Sequence, residues 1–256
     1  MRARGVVAGA LLTLAAAALF VAAGAATSAS VAGGRTPGAA GIDPSTGPAA
    51  LSLQASNPPY DGRFAFVRLR FGRGGGDMRD FGAFGRRGRE PIWAHDYPRA
   101  ETNFLKILDA TTYVGTDLEG RVILGLDDPE LFRYPVAYIV EVGYWSPSEE
   151  EASALRSWLL KGGFLIVDDF RGPDIRNFEA QLQRVLPGAR LLEVPNDHDI
   201  FDSFFHIPDP HALHPPTFRQ YAPVYLGVYE DNDPERRLMI MVNYNQDMAE
   251  YWEFSD

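Results

Sequence analysis

Cysteine is absent from the 256-residue chain, which excludes disulfide bonds, thiolate metal sites and a cysteine nucleophile. Also absent are the Gly-x-Ser-x-Gly elbow, a phosphate loop ending in Gly-Lys-Ser/Thr, Gly-x-Gly-x-x-Gly and His-Glu-x-x-His. These absences argue against serine hydrolases, nucleoside triphosphatases, dinucleotide enzymes and the common zinc proteases. A net charge of -10 argues against nucleic acid as a partner.

The chain divides by composition into three parts. Residues 1–26 begin with two arginines, carry no charge from residue 5 onward and end in small residues, which predicts a signal peptide. An uncleaved N-terminal anchor through residues 5–26 is the alternative, because an uncharged run of about 20 residues can span a bilayer. Residues 27–60, rich in glycine, proline, serine and alanine, predict a disordered linker, and residues 61–256 predict one domain. Both alternatives predict export, to the periplasm or the extracellular space if the segment is cleaved.

Strand and helix patterns alternate within the predicted domain. Apolar runs predict strands at residues 64–71, 122–124, 135–140, 164–169 and 190–194. Helical periodicity predicts helices between them, one of which is opened by a capping box of Ser146 and Glu149. Residues 224–229 and 238–244 flank an Asp-Asn-Asp-Pro turn, which predicts an antiparallel hairpin. This order of elements predicts an α/β, flavodoxin-like three-layer sandwich whose mostly parallel sheet has the hairpin at its C-terminal edge.

Two adjacent acids end the most apolar of these strands. Asp168 and Asp169 follow a run of four apolar residues, and open α/β sheets bind ligands outside the carboxyl ends of their strands. Neighbouring strand residues point to opposite faces, so only one of the two acids is expected to face a cleft. That acid is a candidate metal ligand or general base. The alternative is that one acid caps the following helix or pairs with Arg171 or Arg176.

His95, Asp96 and Tyr97 are placed on the same rim, because they follow the first strand and its loop. Asp96 has a structural alternative as the N-cap of the helix that Pro98 opens. His95 has no such explanation from sequence alone. Tyr97 is an aromatic residue that can line a sugar site or belong to the core.

His198 follows the strand predicted at residues 190–194 and is flanked by Asp197 and Asp199. Such a histidine is suited to a raised pKa or to binding a divalent metal, while a backbone-bonded histidine in a polar loop is the alternative. His95, Asp169 and His198 together would form a two-histidine, one-carboxylate metal set. The candidate cofactor is therefore a divalent metal, and the convergence of the three residues is an expectation from the fold.

A glycine- and arginine-rich loop at residues 72–89 follows the first strand. It can act as a lid or contact an anionic ligand, or it can be a solvated insertion. Three further histidines, at 206, 211 and 214, lie among prolines that forbid the helix a His-x-x-His metal pair would need.

Three groups of residues resemble the bacterial domain of unknown function 4159 family. They are Trp93-x-x-Asp96-Tyr97-Pro98, Leu155-Arg156-x-Trp158-Leu159-x-x-Gly162-Gly163-Phe164-Leu165-x-x-Asp168-Asp169-Phe170, and His198-x-Ile200-Phe201-x-x-Phe204-Phe205. That family is similar to the class I glutamine amidotransferase-like superfamily, which includes relatives of the trehalose-utilisation protein ThuA. The resemblance implies that an amidotransferase would carry its cysteine on the turn after the strand ending in Asp168 and Asp169. Since this chain has no cysteine, glutaminase chemistry is excluded.

Two functions of different class are consistent with these observations. The first is a non-catalytic ligand- or partner-binding domain of the cell envelope, on an amidotransferase-like fold that lacks the nucleophile. The second is a metal-dependent enzyme acting on a carbohydrate-like substrate at the strand carboxyl ends. The expected partners are accordingly cell-envelope proteins or a carbohydrate, and no catalytic residue is assigned.

Overall fold

The computed structural model describes residues 57–72, 91–203, 205–214 and 220–255. The predicted signal segment, most of the predicted linker and most of the glycine- and arginine-rich loop lie outside the described residues. The described strands are β1 (Phe64–Arg70), β2 (Thr116–Gly125), β3 (Val136–Val140), β4 (Phe164–Asp168), β5 (Leu192–Glu193), β6 (Val224–Tyr229) and β7 (Leu238–Tyr244). The described α-helices are α1 (Arg99–Thr111), α2 (Glu149–Leu160), α3 (Ile175–Val185) and α4 (Met248–Glu253).

These strands form a single mixed sheet in the order β2-β1-β3-β4-β7-β6-β5. The five strands from β2 to β7 in that order run parallel, whereas β6 is antiparallel to both β7 and β5. Leu165 of β4 is in register with Ile240 of β7, so the last strand of the chain lies inside the sheet. The predicted α/β sandwich with an antiparallel C-terminal pair, β6 and β7, is confirmed, and β5 completes the edge beside that pair.

Helices cover both faces of the sheet, and each face has its own apolar core. On one face, Ala152, Leu155 and Leu159 of α2 and Phe178 and Leu182 of α3 pack on the sheet. We call this the α2/α3 face. On the other, Phe104, Leu105 and Leu108 of α1 and Met248, Ala249 and Trp252 of α4 pack on it. We call this the α1/α4 face. Strand alternation assigns each residue to a face, because successive side chains point in opposite directions.

The connections explain why the helices divide between the faces. The chain moves from β1 through α1 outward to β2, and from β3 through α2 in the opposite direction to β4. Right-handed crossovers that run in opposite directions place their helices on opposite sides of a sheet. The strand order therefore reverses between β1 and β3, which is where open α/β sheets form their ligand crevice.

Two predicted helix starts are wrong by a few residues. The capping box of α2 is Ser148 with Glu151, because the helix begins at Glu149 and its N3 residue is Glu151. Helix α1 begins at Arg99 with Pro98 as its N-cap and no side-chain cap bond. Asp96 is therefore not the cap, and only its carbonyl oxygen accepts a bond from the helix, from the Ala100 amide.

The described chain contacts the domain from Asn57 onward, four residues before the boundary expected at residue 61. The Asn57 side chain bonds both the amide and the carbonyl of Ile123 on β2, and the Tyr60 ring meets the Tyr134 ring edge-on at 5.0 Å. These contacts cover part of the edge strand. Among the residues described, no helix combines the length and apolarity needed to cross a membrane.

Candidate functional site

Polar residues gather where the parallel strands end, at one edge of the sheet. Along the chain β1 is followed by His95 and Asp96, β3 by Glu141, β4 by Asp169 and β7 by Asp247. Helix α4 then adds its own acidic side chains at the same edge. We call the whole set the carboxyl-edge site: His95, Asp96, Glu141, Asp169, Asp247, Glu250 and Glu253.

The backbone of this edge is unusual, because four non-glycine residues have positive φ angles there: Asp96 (63°), Glu141 (52°), Asp169 (51°) and Asn245 (59°). Backbone bonds tie three of these turns together, from the Glu141 amide to the Asp169 carbonyl, from the Asp169 amide to Gln246 and from the Asn245 amide to Phe170. Left-handed conformations cost free energy at residues with a Cβ, and they concentrate at functional sites. The turns hold the acids in orientations that extended strands could not provide.

His95 and Asp169 form the closest contact of the site. Nδ1 of His95 lies 2.6 Å from Oδ2 of Asp169, and Nε2 lies 3.7 Å from Oδ1 of Asp96. The hydrogen bond to Asp169 raises the pKa of His95 to about 10, against the opposing effect of partial burial. The ring is half-exposed, whereas the Asp169 side chain is buried. A proton or another cation is therefore favoured between these groups.

Asp96 is the least satisfied acid of the site. Its side chain is only 5% exposed, and its Oδ2 atom is buried without a hydrogen-bond partner among the described residues. Burial raises the pKa of Asp96 to about 8. Its carboxylate oxygen groups with those of Glu250 and Glu253 within 4.8 Å, and it also groups with His95 and Asp169 within that distance. Asp96 thus belongs to both candidate ligand groups.

Asp168 serves the fold, although it is the immediate neighbour of Asp169. Its Oδ2 accepts bonds from the Tyr138 hydroxyl at 2.6 Å and from the amides of Met248 at 2.7 Å and Ala249 at 3.3 Å. It therefore accepts hydrogen bonds from the first turn of α4, within the core of the α1/α4 face. Full burial raises the pKa of Asp168 to about 7. The two acids point to different environments, as expected, but Asp169 is oriented by the left-handed turn that follows β4.

Sequence reasoning missed four acids of the site. Glu141 directly follows β3, so the rule that selected Asp169 also applies to it, and burial raises its pKa to about 8. Asp247, Glu250 and Glu253 were missed because a hairpin pattern does not say which of its two strands pairs with the parallel strands; here β7 pairs with β4. Burial raises the pKa of Asp247 well above its usual range, with further contributions from Asp169 and Asp168.

A buried ion pair lies beneath the site. Arg68 of β1 and Glu101 of α1 pair through Nη2 and Oε1, and both side chains are fully buried. The guanidinium also lies over the Tyr138 ring at 4.7 Å, and Tyr138 in turn donates to Asp168. An arginine inside an apolar strand was the sequence signal for this network.

His198 does not join His95 and Asp169. After Val194 the chain turns, and the His198 ring packs 6.1 Å from the Tyr229 ring. Tyr229 pairs with Leu238 at the start of β7, whereas Asp169 follows the end of the parallel strand β4. Nδ1 of His198 accepts a bond from the Ile200 amide, and burial lowers the His198 pKa although Asp197 and Asp199 flank it. The expected three-residue metal set is therefore not assembled, and a raised pKa for His198 is wrong.

The remaining candidates have structural surroundings. Tyr97 is partly buried against the α2/α3 core, and burial raises its pKa. His211 bonds the Pro223 carbonyl at 2.8 Å, and the exposed His206 pairs with Asp202 at 3.1 Å. The role of each predicted site residue in binding stays a prediction; the geometry groups His95, Asp96 and Asp169.

Fold and site together define a class: an α/β sandwich with a histidine-containing acidic site at the carboxyl edge of its sheet. The family model described as "Domain of unknown function (DUF4159)" matches residues 83–256. The chain therefore belongs to the DUF4159 family, as the resemblance predicted. No curated protein matches the chain.

Proposed function

We propose that this DUF4159 domain is a ligand-binding domain whose ligand is a divalent cation, held at the carboxyl-edge site by His95, Asp96 and Asp169. One observation carries the proposal: one ligand atom from each of the three residues lies within 4.8 Å of the other two. The burial of Asp96 supports it, because its side chain is only 5% exposed and a buried charge is normally compensated by an opposite charge.

The donor types favour particular cations. Imidazole nitrogen suits zinc, iron and other transition metals, whereas carboxylate oxygen suits manganese, magnesium and calcium. A set of one nitrogen and two carboxylates is therefore best matched by Mn²⁺, Fe²⁺ or Zn²⁺. Magnesium and calcium prefer sets made of oxygen alone.

The two ring nitrogens of His95 contact different acids. Nδ1 bonds Asp169, which fixes the ring, and Nε2 faces Oδ1 of Asp96 at 3.7 Å. Metal-binding histidines commonly donate their second ring N–H to a carboxylate, which orients the ring and raises its basicity. The cation would accordingly lie between Nε2 and Asp96, with Asp169 holding the ring in place through Nδ1.

Metal content is the direct test. The full-length chain, purified without chelator, is compared by elemental mass spectrometry with Asp169→Asn and His95→Gln. We expect Mn²⁺, Fe²⁺ or Zn²⁺ near one equivalent or above in the wild type and a loss of at least about tenfold in affinity in both variants. The matched control is Asp202→Asn with His206→Gln, since this exposed His–Asp pair has the same residue types at 3.1 Å. His198→Gln should also retain the metal. Metal-free wild type, with all proteins folded, would contradict the proposal.

Export to the cell envelope belongs to the same proposal. It is supported by the positive start, uncharged run and small residues of residues 1–26. Cell fractionation and N-terminal sequencing of the mature protein test it: cleavage near residue 26 identifies a signal peptide, and an intact N-terminus in the membrane fraction identifies an anchor. A cytosolic chain with an intact N-terminus would contradict export.

A metal-dependent enzyme acting on a carbohydrate-like substrate is the second candidate. The 2.6 Å contact between Asp169 and Nδ1 favours it, because a carboxylate on one ring nitrogen orients the other toward a metal that could activate water. The suspected relation to amidotransferase-like and ThuA-like proteins is supported by the left-handed backbone of Asp169, since the resemblance places a cysteine on a tight turn after this strand. Turnover of chromogenic glycosides by the Mn²⁺-loaded chain, lost in Asp169→Asn, would support this candidate; no turnover would leave binding as the function.

A further inference from the structure

Two candidate ligand groups meet at one residue. Asp96 groups with His95 and Asp169 on one side, and with Glu250 and Glu253 on the other, each group within 4.8 Å. A carboxylate has two oxygens and can bridge two cations. We infer that the carboxyl-edge site is a two-cation centre in which Asp96 is the bridging ligand. This inference rests on the proposed function, because it adds a second cation to the first.

The two oxygens of Asp96 have different surroundings. Oδ1 faces Nε2 of His95, so it belongs to the first cation. Oδ2 is fully buried and has no hydrogen-bond partner among the described residues, and the Asp96 side chain is only 5% exposed. An ionised oxygen buried in this way is costly without a compensating charge. Oδ2 is the atom left for the second cation.

The second group is held in place by its helix. Glu250 and Glu253 are three residues apart on α4, so they lie on the same side of it. The Glu250 amide is capped by Oδ1 of Asp247, and the Asn103 side chain of α1 donates to the carbonyls of Trp252 and Glu253. Both ends of the short helix are therefore anchored, which positions the acids before any ligand binds.

Charge also fits two cations better than one. The two groups contain four carboxylates, those of Asp96, Asp169, Glu250 and Glu253, and one imidazole. A single divalent cation would leave two negative charges uncompensated in a partly buried site, whereas two divalent cations balance four carboxylates. Metal pairs about 3.5–4 Å apart are typical of sites that activate water for hydrolysis.

Stoichiometry and magnetic coupling of Mn²⁺ test the inference. The full-length chain is stripped of metal, titrated with Mn²⁺ and studied by native mass spectrometry and electron paramagnetic resonance. We expect two Mn²⁺ per chain with an exchange-coupled spectrum in the wild type. Glu250→Gln with Glu253→Gln should bind one Mn²⁺ and show an uncoupled spectrum, and Asp96→Asn should lose the coupling. Circular dichroism verifies folding, and the single Glu253→Gln variant replaces the double one if that fails to fold.

The control variant also replaces two glutamates by glutamine, but at positions outside the carboxyl-edge site. Glu150→Gln and Glu235→Gln alter exposed residues on α2 and in the β6–β7 turn, and this variant should keep two coupled ions. One Mn²⁺ in the wild type that the Glu250/Glu253 variant leaves unchanged would overturn the inference and leave the proposed function intact. Two ions without coupling would overturn the bridging role of Asp96. No specific Mn²⁺ in the wild type would overturn both proposals.

Discussion

The two faces of the sheet differ in what they bury. On the α2/α3 face, β1 and β4 contribute Val67, Leu69 and Val167 to an apolar core. On the α1/α4 face, the alternate positions of these strands include Arg68 and Asp168, both completely buried. The same strands therefore build an ordinary core on one side and a polar network on the other.

The difference follows from what each face supports. Asp168 caps α4, which carries Glu250 and Glu253, and Arg68 pairs with Glu101 directly beneath the site. Buried polar networks cost free energy unless every member is paired, and they give a site a defined geometry. Departures from an apolar core are expected where function requires them. The α1/α4 face is the supporting layer of the carboxyl-edge site.

Removing one partner of the buried ion pair should have the largest effect. Arg68→Met leaves the Glu101 carboxylate buried and unpaired, and we expect it to lower the free energy of unfolding by about 3–5 kcal/mol. Arg68→Met with Glu101→Leu should recover most of that loss, since neither charge remains. Urea denaturation at pH 7 measures both. On the opposite face of the same strand, Leu69→Met should cost less than about 1.5 kcal/mol. A double variant as unstable as the single one would contradict the network.

The second largest effect should be the difference in stability between variants of the two adjacent acids, Asp168 and Asp169. Asp168→Ala removes the acceptor of Tyr138 and of the α4 amides, and we expect a loss of about 3 kcal/mol. Asp169→Ala removes a contact to a half-exposed histidine and should cost less than about 1 kcal/mol in metal-free protein. Denaturant unfolding in chelator measures both, with metal content as the second readout. An equal loss of unfolding free energy in the two variants would contradict the assignment of Asp168 to the fold and Asp169 to the site.

Neutralising Asp96 should stabilise the metal-free protein. Its folded-state pKa of about 8 lies above the ordinary 3.8, so the folded chain holds this proton more tightly and stability falls as the pH rises from about 4 to about 8. Asp96→Asn has no such dependence, and we expect a gain of about 1 kcal/mol at pH 8 and a smaller gain at pH 5. Thermal unfolding in chelator at the two pH values gives the comparison. If the difference in melting temperature between Asp96→Asn and the wild type were the same at pH 5 and pH 8, this would argue against a buried, uncompensated acid.

The smallest effect is expected for the His95–Asp169 pair. The folded-state pKa of His95, about 10, lies above the ordinary 6.5, so the stabilisation is complete below pH 6.5 and is lost as the pH rises through about 10. Because the ring is half-exposed, we expect a coupling energy of only about 0.5 kcal/mol at pH 6 from a double-mutant cycle. Nuclear magnetic resonance titration of the ring in chelator measures the pKa directly. A midpoint near 6.5 would show that Asp169 does not hold the imidazolium.

Local patterns predicted most of the elements closely. The bounds predicted for β6 and β7 match the structure, and β1, β3 and β4 deviate by one residue at an end. Strand β2 begins six residues before the predicted residue 122, and β5 is shorter than predicted, because only Leu192 and Glu193 pair with the sheet. The α2 capping box was shifted by two residues, because Ser146 and Ser148 offer the same hydroxyl and each has a glutamate three positions later. Strand alternation predicts that Asp168 and Asp169 face different surroundings, which they do, but the left-handed turn at Asp169 that achieves this has no signal in the apolar pattern.

Long-range pairing decided what local patterns could not. The hairpin pattern of β6 and β7 is the same whether β7 lies at an edge or inside the sheet, so Asp247, Glu250 and Glu253 were not associated with Asp169. Similarly, a histidine after a strand was expected at the carboxyl edge, but the turn after Val194 takes His198 to Tyr229. Neither outcome has a signature within a short window of sequence.

The amino-acid sequence alone predicts the fold class, the end of each strand and the residue types that follow it, because periodicity and capping patterns are local properties. It also determined that thiol chemistry is excluded, since cysteine is absent. The sharing of Asp96 between two groups and the capping of α4 by Asp168 are apparent only in the folded protein. Those relations depend on strand order and on packing between residues far apart in the chain, where contact is set by the whole sheet and by the burial of charge beneath it.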